Sequence, residues 1–267
     1  MQPIVEWRKL RAEQLREAAA EDAMVMLPIG AIEQHGPHLP VEVDSWLGEN
    51  VALRTAHAVS ARGQRLLVLP TMWTGVSEHH MSFGGTITLD QPTFAAVVEQ
   101  IVRSVLRAGF RRIVLLNAHG GNENALRVVV DELTPKLGVP LVQFTYWYAA
   151  ADEIRDILET QTALLHACEA ETAMMMAVRG ELVATDRFGL AKSNRTPDVE
   201  DVVGGGVYRW RTIGARSASG VIGNPEAASA EKGERLFAAI AEAIAAKLCN
   251  PELWDLPWQA ENLVVTP

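Results

Sequence analysis

The chain has 267 residues, of which 48% are apolar and 21% charged, with a formal net charge of -9. That length and composition allow one large α/β domain or two small ones. The acidic balance argues against a nucleic-acid partner, because phosphate binding needs a clustered positive face, and no run of roughly 18 or more apolar residues is present to span a membrane.

The N-terminus carries Glu6, Arg8 and Lys9 and lacks the apolar core of a signal peptide, so a cytoplasmic protein is expected. Residues 10–22 are rich in helix formers and predict an exposed or amphipathic helix. The run MVMLPIGA at 24–31 predicts a buried strand of a parallel sheet. Residues 31–44, with Pro37 and Pro40, read as a turn-rich loop, and a helix is expected from Trp46 to Ala61 with Gly63 as its stop. RLLVLPTMW at 65–73 predicts a second strand, followed by a long loop over 74–90. Pro92 and Thr93 start a helix that runs to Ala108 before Gly109.

RRIVLLN at 111–117 is the third predicted strand, and a glycine turn at 118–121 leads into a helix from Asn122 to Leu137. VPLVQFTYWY at 139–148 predicts the fourth strand, and Ala167–Arg179 a helix with an acidic first turn. Residues 189–223, with Gly204–Gly206, read as an irregular excursion that could cover an active site. Residues 225–248 form a long amphipathic helix in this reading. Strand and helix alternate, the sign of an α/β fold whose parallel sheet is covered on both faces. No repeat or composition break divides the chain, and a single domain over residues 1–267 is expected.

Chemistry gathers at the C-terminal ends of the predicted strands, where ligands bind in open α/β sheets. Strand one ends in Glu33-Gln34-His35 with Asp44 shortly after; strand three ends in Asn117-Ala118-His119-Gly120-Gly121; strand four leads on to His166-Ala167-Cys168-Glu169-Ala170-Glu171. Cys168 and Cys249 lie far apart and outside any CxxC pair, so a metal must be held by imidazole and carboxylate, a set that suits zinc, manganese or iron. Glu33 and His35 can serve two ions better than one, and the two oxygens of Asp44 can bridge them. Each piece has a plainer reading: the EQH segment as a capped turn, His119 bonded to a backbone carbonyl, Glu169 and Glu171 complementing a helix N-terminus. Their joint placement at strand ends favours a metal site. Glu78-His79-His80 reads either as loop polarity or as part of a substrate rim.

At these residues the chain resembles the creatininase family. The matching pieces are LPIGAIEQHGPHLP at 27–40, Asp44, the SEHH…FGGT segment at 77–86, NAHGGNEN at 117–124 and HACEAET at 166–172. The resemblance implies a three-layer α/β/α sandwich with a mostly parallel central sheet, two divalent metal ions, and hydrolysis of amide C–N bonds by metal-activated water. It also implies a homo-oligomer, often a hexamer. Carried over by position, Glu33 and His119 hold one metal, His35 the other, and Asp44 bridges.

Creatinine-hydrolysing members place a glutamate where this chain has Gly121, and Glu169 is the expected replacement ligand. His166 matches the proton-shuttling histidine, with Glu171 the second candidate for proton transfer or for orienting a ligand. Trp147 is expected either to wall the substrate pocket, with His79, Gly120 and Gly121 at its edge, or to pack in the core. A second pocket tryptophan has no counterpart in residues 161–165, which argues against creatinine as substrate. A small-molecule amide such as a lactam or a formamide is the expected partner, and creatinine, a formylaminopyrimidine and a short peptide are the rival substrates within the family. The rival readings are a non-catalytic metal- or ligand-binding member of the fold and a phosphate-binding α/β domain, the latter lacking a phosphate-loop lysine.

Overall fold

The computed structural model describes residues 3–193 and 204–256; the stretch 194–203 of the expected excursion lies outside the described residues. The continuous apolar runs form β1 (Met24–Ile29), β2 (Leu66–Val68), β3 (Arg112–Asn117) and β4 (Leu141–Thr145). These strands pair in one parallel sheet ordered β2-β1-β3-β4, with Ile29 opposite Asn117 and Asn117 opposite Thr145.

Successive strand residues point to opposite faces, and here both faces are apolar. Met24, Met26, Val114 and Leu116 pack on one side with Leu47 and Val51 of α2 (Val43–Ala61), Met174 and Met175 of α7 (Glu169–Arg179), and Leu236 and Ile240 of α8 (Ala230–Leu248). Val25, Leu27, Ile113 and Leu115 pack on the other with Ala18 of α1 (Ala12–Ala20), Phe94 and Val98 of α3 (Gln91–Arg107), and Leu126 and Val129 of α4 (Glu123–Leu137). A helical layer on each face gives the three-layer α/β/α sandwich. Each fully buried Leu, Val or Ile side chain contributes about 1.5–3 kcal/mol to it. No helix among the described residues is long and apolar enough to cross a membrane.

Helix starts follow local capping. The Asp90 carboxylate accepts the Thr93 N–H at 2.8 Å at the head of α3, and Ser229 accepts the Lys232 N–H at 3.1 Å at the head of α8. The Ser229 cap starts that helix at Ala230 rather than at residue 225. Three other boundaries depart from expectation. α2 begins at Val43, so Asp44 sits in its first turn rather than in the preceding loop. β2 stops at Val68: Leu69 still donates to the Met26 carbonyl at 2.9 Å, but the next bond to β1 comes from Met72, to the Pro28 carbonyl, three residues on rather than two, so the register slips by one. β4 stops at Thr145, and Tyr146–Ala149 wind into a helical turn, α5, that buries Tyr146; α6 (Ala151–Ile157) follows.

α7 and α8 cross at Gly233, where a Cβ would lie 2.0 Å from the Ala173 carbonyl oxygen. In an uncrowded helix interior, Gly→Ala gains about 1 kcal/mol. Here the added methyl forces the helices apart, and Gly233→Ala is expected to destabilise the protein by about 1–3 kcal/mol. Urea unfolding measures it, and a raised midpoint would contradict this packing.

Candidate metal centre

The loop after β1 carries Glu33 and His35 to the C-terminal edge of the sheet, where the Glu33 N–H donates to the Val41 carbonyl at 2.9 Å. His35 Nδ1 lies 3.2 Å from the Glu33 carbonyl oxygen, which can only accept. One ring proton therefore sits on Nδ1, and Nε2 is the nitrogen left to face the cluster with either a proton or a cation. That nitrogen lies 3.2 Å from Asp44 Oδ1 and 3.9 Å from Glu171 Oε2. His119, after β3, is set the other way round. Its Nε2 meets the Val76 carbonyl at 3.0 Å, and its Nδ1 faces the cluster, 3.1 Å from Asp44 Oδ2 and 3.2 Å from Glu33 Oε2.

The result is a cluster with two lobes that share Asp44. One lobe gathers His35, Asp44 and Glu171; the other gathers Glu33, Asp44 and His119. All five residues are at most 4% exposed. Burial of unpaired charge is costly unless the charge is paired or coordinates a cation, yet Glu33 Oε2, His35 Nε2 and Asp44 Oδ2 have no hydrogen-bond partner. Metal–ligand bonds of about 2.0–2.1 Å at tetrahedral angles separate donor atoms by about 3.3–3.4 Å, close to the spacings seen here. Donor types, burial, orphaned lone pairs and spacing all fit divalent ions of the zinc, manganese or iron class.

Protons stand in for such ions in the bare cluster. Burial pushes the Glu171 carboxyl up to about 8, against the pull of His35. Burial alone would lower His35, but Asp44 and Glu171 outweigh it and push the imidazole up to about 9. Asp44 is held low despite its burial, chiefly by His35 and His119. Burial and Asp44 raise Glu33, while His119 opposes them.

Loop geometry holds these groups in place. Asn117 Oδ1 accepts the His119 N–H at 3.1 Å. Asn122 joins three loops, donating to Gly30 O at 3.1 Å and accepting the Val76 N–H at 2.8 Å. Ala167 takes φ 52, an uncommon left-handed conformation for a residue with a Cβ. Its N–H is thereby turned onto Glu171 Oε2, and His166 is carried beside His35, ring centroids 4.4 Å apart.

The structure brings Glu33, His35, Asp44, His119, His166 and Glu171 together, and it leaves Glu169 out. The Glu169 carboxylate accepts from the Glu159 N–H at 3.0 Å, the Thr160 N–H at 2.7 Å and the Lys232 ammonium. The reason is helical: residues two apart point roughly 200° apart, so with Glu171 aimed at the cluster Glu169 faces α8. Gly121 is more than a missing ligand position. A Cβ there would lie 2.0 Å from the Val76 carbonyl and 2.4 Å from His119 Nε2, whereas Gly120 faces open space.

His79 stacks on His119 at 5.6 Å, and burial followed by His119 lowers it to about 3. Trp147 lines a cavity of about 560 Å³ above the cluster, with Tyr148, Tyr208 and Trp210 on its walls. The described part of the 189–223 excursion thus borders the site. His80, which sequence reading left between loop polarity and a substrate rim, is buried with Nε2 3.3 Å from Glu33 Oε2; sequence reading assigned no role to Gln34, which touches both His80 and His166. A histidine pair inside a polar loop was the available signal for His80.

A parallel α/β sheet with a two-lobed carboxylate–imidazole cluster at its carboxyl edge is the architecture of a metal-dependent hydrolase. The sequence model of the creatininase family (creatinine amidohydrolase) matches residues 8–248, and the chain belongs to that family. It is 31% identical over 218 residues to the mycofactocin precursor peptide peptidase of Mycobacterium ulcerans, covering 80% of each chain. It is 30% identical over 260 residues to the creatinine amidohydrolase of Pseudomonas putida, covering 90% of this chain and 92% of the relative. The crystal structure of a creatininase superposes with a TM-score of 0.78 at 28% identity, covering 91% of this chain and 96% of that one.

The geometry separates Glu169 from Glu171. Glu171→Gln is expected to lower metal stoichiometry, read by elemental analysis, whereas Glu169→Gln keeps the wild-type stoichiometry. Lys232→Met, which strands the buried Glu169 carboxylate, is expected to cost on the order of 3 kcal/mol in denaturant unfolding. Loss of metal from Glu169→Gln would contradict this assignment. Binding also has a pH signature. His35 and Glu171 are protonated at pH 7 and must be deprotonated to ligate. Metal affinity is therefore expected to be weaker at pH 6 than at pH 8, with protons released on binding. Calorimetry in buffers of different ionisation heat measures this, and a heat independent of buffer would contradict it.

Proposed function

We propose that the protein is a metal-dependent amidohydrolase that cleaves a C–N amide bond with water, and that the cluster around Asp44 would hold two divalent ions. The carrying observation is the two-lobed cluster, in which each Asp44 oxygen meets one imidazole. In this reading Glu33, Asp44 and His119 hold one ion, and His35, Asp44 and Glu171 the other. Solved creatininases described as a manganese form and as a Zn–Zn type support the choice of metals. Such ions, when bound, supply Lewis acidity and lower the pKa of water.

The chain's own groups do the rest. His166 Nε2 lies 2.9 Å from the Gln34 carbonyl oxygen, so its ring proton sits on Nε2 and its bare Nδ1 faces the site 3.6 Å from Glu33 Oε1. Burial first, then His35, keeps this imidazole well below its ordinary pKa and therefore neutral. At Nδ1 it can take a proton from water and return it to the leaving nitrogen, which must be protonated to depart. Trp147 offers a flat apolar wall for the acyl or amine portion.

A small lactam or formamide fits this chemistry. A short peptide is the second reading, supported by the cavity volume, about 560 Å³, which lies within the range that accommodates drug-sized ligands. The 31% identity to a peptide peptidase points the same way.

Protein loaded with zinc or manganese and offered a lactam, a formamide and a short peptide is expected to release amine from at least one class. Chelation should abolish turnover, and His166→Ala should lower kcat by about 10²–10⁴-fold. Hydrolysis that survives exhaustive chelation, or fully loaded protein that turns over none of the three, would contradict the proposal.

A further inference from the structure

Gln34 lies between Glu33 and His35 and is buried, and its side chain has no part in the hydrolysis described above. Its side chain is nonetheless fully committed. Oε1 accepts the Gly36 N–H at 2.8 Å, which fixes the orientation of the amide. Nε2 lies 3.1 Å from the Gly220 carbonyl oxygen and 3.1 Å from His80 Nδ1. A primary amide has two N–H donors, and these two neighbours use both. His80 Nδ1 must then be the bare nitrogen. Its ring proton is left on Nε2, 3.3 Å from Glu33 Oε2.

His166 is set by the same residue through its backbone. Its Nε2 lies 3.1 Å from Gln34 Nε2 but 2.9 Å from the Gln34 carbonyl oxygen, the only one of the two that can accept its proton. A His80 Nδ1 that accepts from the amide leaves that ring a single proton, so its tautomer is the state that matters. Gly220 completes the arrangement: at φ +76, a Cβ there would lie 2.1 Å from Gln34 Oε1. The turn that borders the cavity therefore closes directly on this amide.

We propose that Gln34 is a positioning residue: its side chain aims the His80 ring proton at Glu33, and its main-chain carbonyl leaves His166 Nδ1 bare toward the cavity. Only the consequence for turnover rests on the amidohydrolase reading. The tautomers themselves belong to the metal-free fold. Groups that orient ligating side chains typically matter 10–100-fold in metal affinity or activity.

The test is the nitrogen–proton correlation spectrum of the imidazole rings in metal-free protein. Wild type is expected to show both His80 and His166 as the Nε2–H form. Gln34→Glu replaces the donors with an acceptor and is expected to bring the proton to His80 Nδ1 while leaving His166 unchanged. Gln34→Met, which adds no charge, should leave His80 in a mixture of forms. In the metal-loaded enzyme, either variant should lower kcat about 10–100-fold.

A wild-type His80 protonated at Nδ1, or a His80 signal unmoved in both variants, overturns the proposal. The expected tautomers in a protein that hydrolyses nothing would overturn the hydrolase reading and leave the Gln34 assignment standing. The wrong tautomers in an active hydrolase would do the reverse.

Discussion

Asp44 has an imidazole against each of its oxygens, His35 at 3.2 Å and His119 at 3.1 Å, and the carboxylates of Glu33 and Glu171 flank the pair. Three carboxylates in one buried space cost several kcal/mol each unless something positive is shared among them. Much of the local structure serves that sharing. The Glu33 and Val76 carbonyls occupy the remote nitrogens of His35 and His119, so the near nitrogens face inward, where a proton or a cation can be shared with the carboxylates. The turn at Gly121 passes so close to Val76 and His119 that a side chain has no room. Ala167 holds a strained backbone angle that directs its N–H onto Glu171.

The sheet explains why such distant segments meet. α2, which follows β1, packs on one face, whereas α3 and α4, which follow β2 and β3, pack on the other. β1 and β3 are neighbours, so the chain leaves their ends in opposite directions and opens a crevice between them. Open α/β sheets bind ligands at such a switch point. Glu33 and His35 come from one lip, His119 from the other, and Asp44 from the helix that springs from the first. His166 and Glu171 arrive by a longer route, after β4 and α6, and close the ring.

Much of this was legible in the residues. Parallel strands buried on both faces are continuous apolar runs, and each of the four was visible as one, although the ends were less so. A one-residue register slip between Leu69 and Met72 cut β2 short, and the aromatic run after Thr145 read as strand but winds into a turn that buries Tyr146. The cluster residues announced themselves as polar groups at strand ends. The choice between Glu169 and Glu171 did not, because both stand in the same acidic first turn of a helix. Only the rotation of that helix against α8, where Lys232 waits for Glu169, decides which one faces the cluster. His80 and Gln34 were hidden for a related reason: their meaning comes from partners more than forty positions away, which spacing along the chain does not reveal.

The proposal that two cations would share Asp44 is tested most directly by anomalous diffraction from crystals grown with zinc or manganese. Two peaks about 3.5–4 Å apart are predicted, one bounded by His35, Asp44 and Glu171 and the other by Glu33, Asp44 and His119. A single peak, or coordination of either ion by Glu169, would contradict the account.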